Sequence, residues 1–78
     1  MSKADKKEQR IRKNLNNVSL EDFEALIRQY GEIVEGGSHP KAHIGSHVYP
    51  YRRRNPVSAH YVEGILEIID EVKGGLDD

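Results

Sequence analysis

The sequence predicts one small α+β domain in the order α-β-β-β-α, with two helices covering one face of a three-stranded antiparallel sheet. Apolar residues recur at helical spacing near 20–30 and 58–73, and short extended runs punctuated by glycines lie between these segments. At 78 residues the chain has room for one domain. We expect this domain to span residues 18–73, after a basic arm at 1–17 that is partly helical or disordered and before a flexible tail at 74–78.

The first predicted helix has clear signals at both ends. Ser19 is the expected N-cap, and Asp22 stands three residues later. Val18, just before the cap, is placed to pack on Phe23. Gly31 is expected to end the helix in a left-handed conformation.

Three strands are predicted between the helices, over 32–35, 38–44 and 48–52. A two-residue turn at Gly36-Gly37 would join the first two strands and pair Ile33 with Pro40. Because cross-strand partners share a face of the sheet, Ile33 and Pro40 would then both lie on the core face.

The second hairpin decides which side chains face away from the helices. A three-residue loop, Gly45-Ser46-His47, would pair Ile44 with Val48, whereas a two-residue turn would pair Ile44 with His47. We expect the three-residue loop because it keeps the core face apolar. The opposite face is then open and basic, and it carries His39, Lys41, His43, Tyr49 and Tyr51.

Charge is segregated along the chain although the net charge is only −1. Residues 1–18 and 36–61 each carry a net charge of +4, whereas 19–35 and 62–78 carry −4 and −5. A nucleic acid could meet the central basic segment, although ordinary solvated charge is the alternative. The cations of that segment are Lys41, Arg52, Arg53 and Arg54. An arginine triplet can equally guard the edge of a sheet against aggregation.

Composition excludes several classes of protein. The chain has no cysteine, which rules out disulfides and thiolate zinc sites. It also has no apolar stretch of the ~18 residues that span a bilayer, so we expect a soluble, cytoplasmic protein. His39, His43 and His47 are spaced by four, but on a strand such residues lie ~13 Å apart, too far to share one ion. We therefore predict neither metal nor cofactor.

A histidine in this segment is better suited to acid–base chemistry. Imidazole titrates near neutral pH, so it can take a proton from a ribose 2′-OH or give one to a leaving 5′-oxygen. The nearby cations could hold phosphate, and Tyr49 and Tyr51 could stack on unpaired bases. Two strand tyrosines are equally typical of a packing pair, and Gly36-Gly37 of a plain hairpin turn. We expect His60, near the start of the last helix, to be a surface residue.

Several segments between about residues 10 and 72 resemble the HicA family of mRNA interferase toxins. They are Val18-Ser19-Leu20-Glu21-Asp22-Phe23, Tyr30-Gly31, Gly37-Ser38-His39, Val48-Tyr49-Pro50-Tyr51, Asn55-Pro56-Val57, Tyr61-Val62 and Leu66-Glu67-Ile68-Ile69-Asp70. The resemblance implies a fold similar to the double-stranded RNA-binding domain. It also implies a metal-independent endoribonuclease that cleaves mRNA with one histidine of a Gly-Ser-His motif and is neutralised by a HicB antitoxin.

By position, the resemblance assigns the catalytic role to His39, with Gly37 and Ser38 among the RNA-contacting residues. The second tripeptide with the same letters, Gly45-Ser46-His47, falls in a predicted loop and ranks below it. Pro40 departs from the family pattern, because members commonly carry a histidine or an aromatic residue after the motif. A noncatalytic RNA-binding module of the same fold, or a protein-interaction domain, is therefore the alternative.

Overall fold

The computed structural model describes residues 3–75 and has the predicted α+β architecture. Its elements are α1 (Lys3–Lys13), α2 (Leu20–Tyr30), β1 (Glu32–Val34), β2 (Lys41–Ile44), β3 (His47–Pro50) and α3 (Ala59–Gly75). The strands form an antiparallel sheet in the order β1-β2-β3. The three-stranded sheet and the two helices that follow the apolar stripes are confirmed. The additional helix, α1, lies in the segment predicted as a basic arm.

One face of the sheet packs against α2 and α3, and the core lies between them. Ala42 and Ile44 from the central strand are 1 % and 0 % exposed. The largest fully buried apolar side chains that the two helices contribute to this core are Phe23, Leu26, Ile27, Val62, Ile65 and Ile69. No helix within residues 3–75 is long and apolar enough to cross a membrane. Of the predicted tail, 74–75 are the last residues of α3, and 76–78 lie outside the described residues.

The start of α2 is as predicted, but its end is not. The Ser19 hydroxyl accepts a hydrogen bond from the backbone N–H of Asp22 at 3.1 Å, and Val18 and Phe23 are both buried. Gly31, however, has φ −166° and ψ −139°, which is extended backbone and not left-handed. A Cβ at Gly31 would collide with the carbonyl oxygen of His43 and lie 2.9 Å from its carbonyl carbon. Glycine is required at position 31 because α2 approaches β2 closely, and not because the backbone is left-handed there.

The first hairpin has a longer loop than predicted. Ile33 pairs with Ala42, and not with Pro40, so that six residues separate β1 from β2. Ile33 still lies on the core face, because the shift of two residues preserves parity. Pro40 has no N–H to donate, so the regular ladder begins only at Lys41. We refer to residues 35–40 as the glycine loop, since Gly36 and Gly37 both take positive φ there.

The predicted register of the second hairpin is wrong. A two-residue turn, Gly45-Ser46, pairs Ile44 with His47, and Gly45 takes the positive φ of 60° that such turns require. This register turns Val48 outward, where it is 55 % exposed, and turns Tyr49 toward the helices. The expected register, which paired Ile44 with Val48 on the core face, is wrong because burying tyrosine rings removes more apolar surface from water than burying a valine.

Helix α1 joins the core through Ile11, which is 3 % exposed, and through Glu8, which is 7 % exposed. The Glu8 carboxylate accepts hydrogen bonds from the Tyr30 hydroxyl, from Lys73 Nζ at 3.0 Å and from Arg12 Nε at 3.0 Å. These donors come from α2, α3 and α1 itself. Glu8 therefore links all three helices.

Acidification should weaken the fold through Glu8. Burial alone would raise the pKa of Glu8, but hydrogen bonds from Tyr30, Lys73 and Arg12 outweigh it and hold the pKa below its ordinary 4.5. A lowered carboxylate pKa contributes stability that is complete above the unfolded pKa and is lost as pH falls through the folded pKa. The free energy of unfolding should therefore fall as pH drops below about 4.5. Glu8→Gln should cost about 1–3 kcal/mol at pH 7 and reduce this acid loss.

Urea unfolding at pH 7 and pH 3.5 measures both effects. The matched control is Glu63→Gln, because Glu63 is exposed on α3 and makes no ion pair within the described part of the chain. The control should be as stable as the wild type at both pH values. Equal acid losses for Glu8→Gln and the wild type would contradict the role given to Glu8.

Candidate functional site

A cavity of about 330 Å³ opens where β3 leaves the sheet and α3 begins. His39 of the glycine loop and Arg52 of the chain after β3 both line this cavity. Tyr61, in the first turn of α3, also lines it. The lining residues are His39, Pro50, Tyr51, Arg52 and Tyr61. We call this the His39 cavity.

His39 is half-buried and is held through one ring nitrogen. Its Nδ1 lies 3.3 Å from the Ser38 hydroxyl oxygen, and Ser38 is its hydrogen-bond partner within residues 3–75. When Nδ1 carries the proton and donates to Ser38, Nε2 is left as a proton acceptor. Within the tripeptide Gly37-Ser38-His39, the serine hydroxyl therefore lies within hydrogen-bond distance of the imidazole.

Arg52 and Arg54 are exposed and make no ion pair among the described residues. Arg52 also lines the His39 cavity, so a positively charged residue borders the same cavity as the imidazole. A group that enters this cavity as an anion would meet an unpaired positive charge there. Phosphate is the anion that arginine holds with particularly favourable geometry.

Arg53, predicted to bind RNA, is instead paired within the protein. Its guanidinium donates to Glu35 at 2.8 and 2.6 Å and to Glu24 at 2.9 Å. Hydrogen bonds to Glu35 and then Glu24 raise the pKa of Arg53. Glu35 belongs to the glycine loop and Glu24 to α2. Arg53 therefore fastens the loop that carries His39 to the body of the protein.

The predicted positions of Tyr49 and Tyr51 on the open face are wrong. Tyr51 is 1 % exposed, its ring meets Phe23 edge-on at 5.1 Å, and its hydroxyl donates to Glu24 at 2.6 Å. Burial, together with the hydrogen bond to Glu24, raises the pKa of Tyr51. Tyr49 is half-buried against Gly64 of α3. Tyr51 has too little exposed surface to stack on a base.

The open sheet face keeps two of the predicted residues, Lys41 and His43. In the observed register Lys41 lies opposite Pro50 and Val34, and His43 lies opposite Val48 and Glu32. This face is therefore mixed, because the exposed Val34 and Val48 lie beside Lys41 and His43, whereas an open, basic face was expected. Of the two strand partners Lys41 and Pro50, only Pro50 lines the His39 cavity.

The two Gly-Ser-His tripeptides have different surroundings. His47 begins β3, on the core side of the sheet, and its Nε2 lies 3.5 Å from a carboxylate oxygen of Glu71 on α3. It does not line the His39 cavity. No group of three His, Asp or Glu side chains in the described part of the chain is arranged to hold a metal ion.

Tyr61 is the residue of this site that the sequence interpretation missed. It lines the cavity, and the exposed ring of His60 lies 4.1 Å from its own ring. The sequence signal that could have predicted this position is the short connection from Arg52 to the start of α3. A connection of this length keeps the first turn of α3 close to the end of β3. His60 itself is on the surface, as predicted.

Comparison of the chain with protein-family models, with curated proteins and with solved structures finds no match.

Proposed function

We propose that the chain is an endoribonuclease of the HicA kind that cleaves mRNA without a metal ion, with His39 as the catalytic group. One observation carries the proposal: the His39 imidazole, which lies beside the Ser38 hydroxyl, lines one cavity together with Arg52 and the half-buried Tyr61, and Arg52 makes no ion pair among the described residues. The resemblance of Gly37-Ser38-His39 and its flanking segments to that family supports the same assignment.

The proposed reaction is an internal displacement at phosphorus. His39 Nε2 accepts the proton of a ribose 2′-OH, and the 2′-oxygen attacks the adjacent phosphorus. The bond from phosphorus to the 5′-oxygen breaks, and that oxygen takes a proton from solvent water and leaves as a 5′-hydroxyl, while the proton on His39 Nε2 returns to solvent. The other product ends in a 2′,3′-cyclic phosphate. Arg52 offsets the negative charge that grows on the phosphate oxygens during attack.

The family resemblance also implies a protein partner. A HicB-like antitoxin would neutralise the enzyme, most simply by covering the His39 cavity and the cations around it. A noncatalytic RNA-binding module is the second candidate function. It is favoured by Lys41, Arg52 and Arg54, which make no ion pair within residues 3–75 and would hold phosphates whether or not cleavage follows.

The test is cleavage of single-stranded RNA by the purified chain in the presence of EDTA. We expect products with 5′-hydroxyl and 2′,3′-cyclic phosphate ends, and no cleavage of the same sequence made as DNA, because DNA lacks the 2′-OH nucleophile. Cleavage abolished by EDTA would overturn the metal-independent mechanism. RNA binding without any cleavage would favour the noncatalytic module.

The neighbouring arginines should differ in their effect on RNA binding. Each phosphate contact with single-stranded nucleic acid contributes about −0.7 to the slope of log K against log salt. Arg52→Ala should therefore make this slope shallower by about 0.7. Arg53→Gln should leave the slope unchanged and lower the urea midpoint instead, because Arg53 is engaged with Glu24 and Glu35.

Filter binding of an uncleavable 2′-O-methyl RNA at several salt concentrations measures the two slopes. Arg54→Ala serves as a further comparison, since Arg54 is exposed and unpaired among the described residues but does not line the cavity. If Arg53→Gln and Arg52→Ala lowered the slope equally, the separation of the triplet into a phosphate contact and a structural clamp would be wrong.

A further inference from the structure

Three aromatic rings lie together beside the His39 cavity. The rings of His60 and Tyr61 are 4.1 Å apart and tilted by 37°, and those of Tyr61 and Tyr49 meet edge-on at 6.3 Å. Tyr61 contacts both neighbours and also lines the cavity. The half-buried Tyr49 ring therefore limits how Tyr61 can turn, while part of the Tyr61 ring remains accessible.

Glycine at position 64 makes this arrangement possible. Gly64 follows Tyr61 by one turn of α3, and a Cβ there would lie 2.6 and 2.8 Å from the Cζ and Cε2 atoms of the Tyr49 ring. With glycine, the Tyr49 ring can lie directly against the helix and brace Tyr61. Tyr49 thus has a supporting role in the site and not the base-contacting role that its sequence position suggested.

The size and lining of the cavity restrict what can enter. A volume of about 330 Å³ is at the small end of ligand sites, which span roughly 300–1,000 Å³. A site of this size favours a single group of nucleotide size over a stacked duplex. His39 and Arg52 offer groups that meet a ribose and a phosphate, and Tyr61 offers a π surface. An aromatic ring held in place is the usual partner of an unpaired base.

We propose that Tyr61 is the residue on which an unpaired nucleobase stacks, so that the nucleotide beside it presents its 2′-OH to His39. Tyr61 is then a positioning residue that selects single-stranded RNA. The consequence for catalysis rests on the proposed function above, but the stacking itself can be measured without any cleavage.

The experiment uses a fluorescent replacement for Tyr61. The chain has no tryptophan, so Tyr61→Trp introduces a single indole. The probes are an uncleavable 2′-O-methyl adenosine octamer and a blunt 2′-O-methyl hairpin duplex that carries the same number of phosphates. We expect the octamer to quench the indole and the duplex to leave it unchanged. Equal quenching by both probes would overturn selection of an unpaired base.

Two further variants separate stacking from other contacts. Base stacking on an aromatic side chain contributes ~1–3 kcal/mol, so Tyr61→Leu should weaken octamer binding about 5- to 150-fold. Tyr61→Phe keeps the ring and should bind within about twofold of the wild type. Equal affinities for the leucine and phenylalanine variants would overturn the proposal. His60→Ala, which alters an exposed ring outside the cavity lining, is the matched control and should bind like the wild type.

Urea midpoints of all four variants show whether a loss of affinity reflects unfolding. A folded Tyr61→Leu protein with weakened octamer binding supports the proposal. The outcome for catalysis is separate: if the wild type fails to cleave RNA but the octamer quenches the indole, the nuclease proposal fails and the stacking assignment stands. If the wild type cleaves and folded Tyr61→Leu binds the octamer unchanged, the stacking assignment fails alone.

Discussion

We expect His39→Ala to lower the rate of RNA cleavage by about 10²–10⁴-fold, the usual contribution of one general acid or base. The substitution removes the group that accepts the 2′-OH proton and leaves Arg52 in place. Octamer binding should change much less than the rate, because phosphate and base contacts remain. Single-turnover cleavage assays and filter binding measure the two quantities on the same protein.

The chain supplies its own matched control for this experiment. His47→Ala removes the histidine of the second Gly-Ser-His tripeptide, which is half-buried like His39 but faces Glu71 and not the cavity. Its cleavage rate should match that of the wild type. A large loss in His47→Ala with an unchanged rate in His39→Ala would transfer the catalytic role to the second tripeptide.

Gly31→Ala should destabilise the fold by more than about 3 kcal/mol, at the severe end for a single added methyl group. The new Cβ would overlap the backbone carbonyl of His43, and Ile44 Cα would lie only 3.0 Å away. Backbone atoms of the central strand cannot rotate aside as a side chain can, so α2 must shift relative to β2. In a domain whose stability is typically ~5–15 kcal/mol, that is a large fraction.

The control is a glycine-to-alanine substitution at a position where no other atom lies near the added methyl group. Gly74 lies in the last turn of α3 with no atom within 4 Å of an added Cβ. Gly74→Ala should stabilise the protein by up to about 1 kcal/mol, because alanine loses less backbone entropy in a helix. Urea unfolding followed by circular dichroism compares the two. Equal effects, or a stable Gly31→Ala protein, would contradict the close packing of α2 on β2.

The sequence predicted α2, α3 and the sheet because their apolar periodicity is strong and local. It failed on the register of β3, where two criteria conflicted. Pairing Val48 with Ile44 kept one apolar residue inward, but it ignored the greater apolar area of Tyr49 and Tyr51. The turn chemistry of Gly45 pointed to the two-residue turn that the structure contains. Where parity and turn preference disagree, the summed area of all residues on each face is the better criterion.

The candidate site was only partly predictable for a related reason. His39 and Arg52, which line the cavity, could be recognised from the sequence because they lie in motifs with known chemistry. The ion pair between Arg53 and Glu24 could not be recognised, since Glu24 precedes Arg53 by 29 residues and no local pattern links them. Tyr61 was hidden because its placement depends on how α3 docks beside β3. Ion pairing and docking across the fold are tertiary properties, and they decide which arginine is free of ion pairs among the described residues and which tyrosines line the cavity.

The docking of α1 has a practical consequence for preparing the protein. A domain trimmed to its strongly apolar part would begin near Val18 and discard Glu8 and Ile11. Such a fragment would expose the hydrocarbon surface that Ile11 covers and leave the ammonium of Lys73 without its carboxylate. A shortened version of the protein should therefore retain α1. An affinity tag is better joined ahead of α1 through a flexible spacer than fused directly to its first turn.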